Sequence, residues 1–422
     1  MNRTLRAESG TKVTKEDVWD QVSVFVGRFG QAAEQFAARF DFGISPEAIR
    51  GCMEPILSDA RRTQLAGWTA LRGGPALQEC LARLRDLAPT TYQKTVARIA
   101  GVFVIHSYFR SRMTQEAIGQ AISTGSFYEV MQDLLDDLLD GGGFTVPEAV
   151  RLYNRCLRPM IDPEVSANGL EDELANFMGP GQDGLEHVLA GATRALRGLL
   201  ASSDERIRGL IHEGHEALAR AQATTVLFRR EGLDIPAATN LAAGLPSPDP
   251  DLTWLDRVAI YASWPSTIAL FDAGFTTAAV PQRELAAHAR AWLSFNEAVT
   301  FLEHFAGIEG DVREGVVNMA CIYENLPATG LEGNSFGGFT SRQRQSIFEK
   351  ATACLVRGVR EGITGGGPPE EYALLAVMIP TIIFAMCKTP PDQAASFFAI
   401  LAPSLRATIG TEPVMSEVAI PA

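Results

Sequence analysis

The chain has 422 residues, 46% hydrophobic and 21% charged, enough apolar material for a sizeable core and too much for a disordered or fibrous polypeptide. Its 37 Lys and Arg stand against 50 Asp and Glu, a formal net charge of -13 that repels nucleic-acid phosphate and anionic lipid and so excludes a general polyanion binder. A small anionic ligand stays compatible where metal or arginine neutralises the acid locally.

Strand signals are scarce: few β-branched runs alternate, whereas Ala/Leu/Arg/Glu stretches with apolar residues three and four apart run throughout. The reading is all-α. Residues 1–15 read as a mobile polar end, and helices are expected at 16–40, 46–66, 75–87, 90–107, 114–122, 125–140, 147–158, 168–178, 184–202 and 204–231. Further helices follow at 253–272, at 282–325 with a kink between Gly307 and Gly310, and at 341–362 and 370–387. No motif recurs at a fixed period, so these helices form one bundle over 16–390, not a solenoid. Residues 391–422, which contain prolines, read as a tail with room for one short helix. The apolar run Tyr372 to Cys387 is interrupted by Pro380 and falls short of the roughly 20 residues that cross a bilayer, so it reads as a buried helix and no transmembrane segment is expected.

The six cysteines (Cys52, Cys80, Cys156, Cys321, Cys354, Cys387) show no CxxC or paired spacing and read as reduced residues. Met1 to Glu16 has no apolar h-region, so no secretory signal is read there and the expected location is the cytoplasm.

Several chemistries fail on spacing. Gly179-Pro-Gly-Gln-Asp-Gly184 fits GxGxxG, but it follows a helical segment and puts proline where a phosphate-gripping amide is needed. Gly333-Asn-Ser335-Phe-Gly337 fits GxSxG without the strand that a nucleophile elbow requires. His212 and His215 are three apart, not four, and do not make a zinc helix.

The strongest signal is acidic. On a helix Asp133, Asp136, Asp137 and Asp140 fall at i, i+3, i+4 and i+7 as one carboxylate stripe opposite Leu134, Leu135, Leu138 and Leu139. Like charges four apart cost about 0.2–0.5 kcal/mol per pair, and acids in the last turn oppose the helix dipole, so something must offset the stripe. A divalent cation such as Mg²⁺ would do so, whereas a solvated face with no ligand is the plain alternative. A second acidic segment holds Glu303, Gly307 and Asp311 four apart, followed by Asn318 and Tyr323. Paired acidic helices bracket a metal-bound diphosphate from opposite walls.

With those motifs in view, the chain resembles the large terpene synthases of bacteria typified by tetraprenyl-β-curcumene synthase, a divergent all-α class I type, over about residues 125–390. Asp133-Leu-Leu-Asp136-Asp137-Leu-Leu-Asp140 is similar to the family's first motif, D-Y-L-D-N-L-C-D. Leu302-Glu303-His-Phe305-Ala-Gly307-Ile-Glu309-Gly-Asp311, continuing to Asn318, is similar to its second. Gly307 and Gly310 stand where the family has acids, Val316 replaces the aspartate of its G-D-L-N stretch, and Gly141 replaces the basic residue after the first motif.

The resemblance implies a helical bundle around a central cavity, in which two or three Mg²⁺ ions ionise a prenyl diphosphate for cyclisation or elimination to a terpene hydrocarbon or alcohol. It assigns metal ligation to Asp133, Asp136, Asp137 and Asp140 and, from the second motif, to Glu303 and Asp311 with Glu309 as a further candidate. Arg257, then Arg229 and Arg230, are the arginines expected to sense diphosphate, and Asn318 and Tyr323 to hydrogen-bond it. Phe127, Trp264, Phe295, Phe301 and Phe305 are the aromatic candidates for stabilising cationic carbon. A hydrophobic product implies transient membrane contact. A prenyl-chain condensing enzyme and a non-catalytic helical scaffold are the competing readings; chain length, cyclic or linear product and oligomeric state are not encoded in these motifs.

Overall fold

The computed structural model describes residues 18–141, 143–178, 182–201, 203–228, 233–314, 316–324 and 338–410. Over these residues the protein is all-α, seventeen helices in a single bundle with no strand among them. The first half comprises α1 (Val18–Arg39), α2 (Pro46–Ala66), α3 (Gly74–Leu87), α4 (Pro89–Ile105), α5 (Gln115–Asp140), α6 (Val146–Ile161), α7 (Leu170–Ala175) and α8 (Leu185–Leu200). The second comprises α9 (Glu205–Thr225), α10 (Ile235–Ala242), α11 (Trp254–Ala262), α12 (Pro265–Ala273), α13 (Gln282–Glu314), α14 (Met319–Tyr323), α15 (Ser341–Thr364), α16 (Pro369–Met386) and α17 (Pro391–Ile409).

The central rod is α5, packed by α3, α4, α8 and α12 and buried without a break from Gln120 through Leu135. Two expectations change here. The helices read at 114–122 and 125–140 are one, because Gly125 is a close-packing position and not a breaker: a Cβ there would lie 2.5 Å from Val102 Cγ1 on α4. And α5 is not a surface helix with one wet face, since its polar residues Gln132 and Asp133 are fully buried.

The expected helix 253–272 is two. Ser263 is extended, and Pro265 starts α12 where its missing N–H costs nothing. The break is pinned by Asn296 of α13, whose Nδ2 donates to the Ser263 carbonyl (3.0 Å) and to Ser266 Oγ (2.8 Å) while its Oδ1 accepts from Ser266 N (3.1 Å). Likewise 282–325 divides, but not at the glycines: α13 runs through Gly307 and Gly310 and ends at Glu314, and Asn318 caps α14 by accepting from Ala320 N at 2.8 Å. A short helix that the periodicity did not show, α10, is capped by Asp234 accepting from Ala237 N.

Residues 391–409 are not a tail. They form α17, which packs on α15 and α16 and inserts Phe397 and Phe398, both fully buried, beside Phe384 and Phe348. Pro391 opens this helix and Pro403 is accommodated inside it, so prolines that read as breakers are helix residues. One described helix, α16, is long and apolar enough to cross a membrane, and 67% of it is buried inside the bundle.

Two histidines are locked in the core. His215 lies face to face with Tyr128 at 5.8 Å with neither ring nitrogen hydrogen-bonded, and His288 pairs through Nδ1 with Tyr372 Oη at 3.0 Å. Burial pushes each imidazole down to about 3. A depressed histidine pKa leaves stability intact above about 6.5 and withdraws it as pH falls toward 3, because the unfolded chain takes up the proton first. His215→Phe, which removes one such group at similar volume, is therefore expected to lose about 1–3 kcal/mol less stability than wild type between pH 7 and pH 4, read by urea unfolding.

Candidate active site at the mouth of an apolar pocket

Helix α4 is apolar apart from Gln93, Lys94, Thr residues and Arg98, and the two cations stand four apart on one face. That face meets the carboxylate stripe of α5. Arg98 Nη1 lies 2.9 Å from Asp133 Oδ1, and its Nη2 lies 3.4 Å from Glu303 Oε1 on α13. Lys94 Nζ is 3.6 Å from Asp133, 3.5 Å from Asp136 and 3.3 Å from Asp137, whose other oxygen accepts from Thr91 Oγ1 at 2.5 Å. The two acidic motifs thus meet through Arg98.

The second motif is tied to itself as well. Asp311 Oδ2 accepts from Asn318 Nδ2 at 2.5 Å and lies 3.3 Å from His304 Nδ1, and Asn318 also donates to the His304 carbonyl at 2.6 Å. Burial acts to lower the His304 pKa, but the Asp311 bond and the charges of Asp311, Glu303 and Asp140 outweigh it and hold the imidazole above its ordinary value. Asp140, at the end of the first motif, therefore acts electrostatically on a residue of the second.

Glu129, one turn inward from Asp133, accepts from Trp264 Nε1 at 2.9 Å, and the Arg98 guanidinium sits 4.2 Å above the Trp264 ring. Burial, with Asp133 alongside, pushes the Glu129 carboxyl up to about 8. Burial likewise raises Asp136, against the pull of Lys94 and Arg98. The same cations are themselves opposed by burial, yet Asp133 with its neighbours holds both above their ordinary values.

Beyond this charged rim lies an apolar pocket that is partly open to solvent. Arg98, Glu129 and Glu303 stand at its polar end, and Trp264, Trp292, Val299, Leu375, Ile379 and Ile383 are among its apolar walls.

The expected residues fall into three groups. Asp133, Asp136, Asp137, Asp140, Glu303, Asp311 and Asn318 converge on the rim, and Trp264 lines the pocket. Glu309 is exposed, turned about 200° around α13 from Asp311, so it does not join them. Arg257 on α11 makes no hydrogen bond or ion pair to Asp133, Asp136, Asp137, Glu303 or Asp311, and the basic side chains at those acids are Lys94, Arg98 and His304. Phe127 is buried beside Gly73, Phe295 between Trp292 and Tyr372, Phe301 against Tyr323, and Phe305 against Phe339 and Phe348; these rings and Tyr323 are core packing. Arg229 and Arg230 lie outside the described residues.

Lys94, Arg98, Glu129 and Trp292 were not anticipated. The i, i+4 pair of cations on an apolar helix was the available signal for the first two, and Glu129 continues the acidic stripe one turn inward.

Among the described residues no three carboxylate, histidine or cysteine side chains stand together as a ready-made metal cage. The donor chemistry nonetheless suits Mg²⁺, which takes one or two carboxylates and leaves the rest of its shell to water and phosphate. Both Asp133 oxygens are buried without a well-aligned hydrogen bond, and four carboxylates (Asp133, Asp136, Asp137, Glu303) face only Lys94 and Arg98, a surplus of negative charge.

Two outcomes follow from this geometry. Glu129 carries a raised pKa, so its stability contribution is whole below about 4.5 and lost as pH rises through 8; Glu129→Gln should match wild type at pH 5 and exceed it by about 2–4 kcal/mol at pH 9.5 in urea titrations. At Gly307 a Cβ would meet nothing within 4 Å, so Gly307→Asp should fold and melt no lower than wild type, recovering about 0.3–0.5 kcal/mol of helix propensity. Compared with models of known protein families and with curated proteins, the chain matches none.

Proposed function

We propose that this chain is a terpene synthase of class I type, ionising a prenyl diphosphate with magnesium and guiding the carbocation in the pocket to a terpene hydrocarbon or alcohol. The observation that carries this reading is the meeting of two acidic helices at the polar end of an apolar pocket, joined through Arg98. Lys94 and Arg98 supply positive charge where a diphosphate head would rest, while the rim carboxylates Asp136, Asp137 and Glu303, held by those two cations, are the ones that could share magnesium. Magnesium, when bound there, would neutralise charge on the departing diphosphate.

The remaining work belongs to the walls. Trp264 and Trp292 present aromatic surface to the chain, and a guanidinium already rests on Trp264, so that ring face suits positive charge. Apolar residues of α13 and α16 exclude the water that would quench a cation early. We place the protein in the cytoplasm, where its six free cysteines remain thiols.

The test is incubation with prenyl diphosphates of increasing length and magnesium, following diphosphate release and products by mass spectrometry. Asp136→Asn and Asp137→Asn are expected to lower turnover by about a hundredfold or more. Asp136→Asn should melt within about 1 kcal/mol of wild type, since burial already disfavours its charge. No diphosphate release from any chain length, or undiminished turnover in both variants, sinks the reading.

A further inference from the structure

The pocket has a measurable depth. At its mouth Arg98 of α4 meets Glu303 of α13. At the other end Tyr108, just past α4, packs on His288 of α13 at 4.4 Å and on Tyr372 of α16 at 5.0 Å. Helix α4 therefore runs inward as α13 and α16 run outward, and Trp292, which packs on His288, stands at the inner end of the lining. Between Glu303 and Trp292 on α13, and between Met386 and Leu375 on α16, the lining covers eleven residue steps, about 16 Å. A main chain extended at about 3.6 Å per three bonds implies about 5 Å for the four-bond repeat of a prenyl chain. About three repeats fit.

Gly101 stands three residues inward from Arg98, about 4.5 Å along the helix, or roughly one repeat below the charged rim. It lies within a 17-residue helix, where glycine is a poor choice, yet a Cβ there would meet no atom within 4 Å. Packing does not require the glycine; what its missing side chain leaves is open lumen.

Resting on the reading above, we infer that the pocket is a length gauge for a prenyl chain of about three isoprene units, and that Gly101 is the specificity-determining position that lets the chain pass beyond its first unit. A branched side chain at 101 projects across the lumen and leaves room for a single unit. The diphosphate stays with the rim residues whatever the length of the tail.

The experiment uses quenching of tryptophan fluorescence, since Trp264 and Trp292 line the pocket, with dimethylallyl, geranyl, farnesyl and longer diphosphates and with farnesol, which has no diphosphate. Wild type should bind farnesyl diphosphate about tenfold or more tighter than the dimethylallyl compound and gain nothing further from chains twice that length. Gly101→Leu should lose about tenfold or more of its affinity for farnesyl diphosphate and farnesol while keeping dimethylallyl diphosphate. Gly101→Val is the smaller plug should the leucine variant not fold, and Gly101→Ala should melt about one to two degrees higher with farnesol binding retained.

Unchanged farnesol binding in a folded Gly101→Leu or Gly101→Val protein overturns the gauge, as does a wild-type preference for chains of six or seven units. The two readings fail separately. Farnesol binding that Gly101→Leu abolishes, in a protein that releases no diphosphate, keeps the gauge and ends the synthase reading; diphosphate release with the same chain-length range in Gly101→Leu does the reverse.

Discussion

The contact on which the site depends is the Arg98 guanidinium, held between Asp133 of the central helix and Glu303 of the longest one. A buried carboxylate such as Asp133 is costly unless a cation accompanies it, and a buried arginine is costly for the same reason. Neither could occupy its place without the other, and together they fix the distance of α4 from α5 and α13. Every other rim interaction is arranged around this one: Lys94 one turn outward takes the exposed end of the stripe, and Trp264 covers the inner face of the guanidinium while donating to Glu129. The protein itself thus supplies part of the compensation that the stripe demanded.

Fold class was legible because helical periodicity is local, and the existence of most helices followed from it. The misplaced boundaries share a cause: the break before residue 125 and the proline-containing tail rest on intrinsic preference, whereas tertiary packing decides both places. A glycine that lets Val102 of a neighbouring helix approach is indistinguishable in sequence from one that ends a helix. The split between α11 and α12 was hidden for the complementary reason, since the side chain that pins it, Asn296, comes from another helix.

The site divides along the same line. Its acids were legible because they repeat at helical spacing, and the structure gathers Asp133, Asp136, Asp137, Glu303 and Asp311 at one rim. Its cations were not, because Lys94 and Arg98 belong to a helix whose relation to the stripe is purely tertiary. The aromatic candidates show the limit most plainly: proximity in sequence to an acidic motif says little about the face a ring occupies, and Phe301 and Phe305, flanking Glu303, both turn into the core while Trp264 reaches the pocket from the break between α11 and α12.

The last helix bears on how the chain reaches this state. Phe398 of α17 packs on Phe36 of α1 with ring centroids 4.1 Å apart, and Arg406 bonds Asp41, so the first and last described helices share one seam. During synthesis α1 leaves the ribosome long before α17 exists, and the faces of Phe36 and Phe42 that Phe398 covers wait for that helix to emerge. Closure of the bundle is then a late, long-range event, slow by the entropy of joining distant segments. A nascent chain stalled before residue 391 would present that aromatic seam to chaperones and to other copies of itself, which makes the docking of α17 the step that hides it.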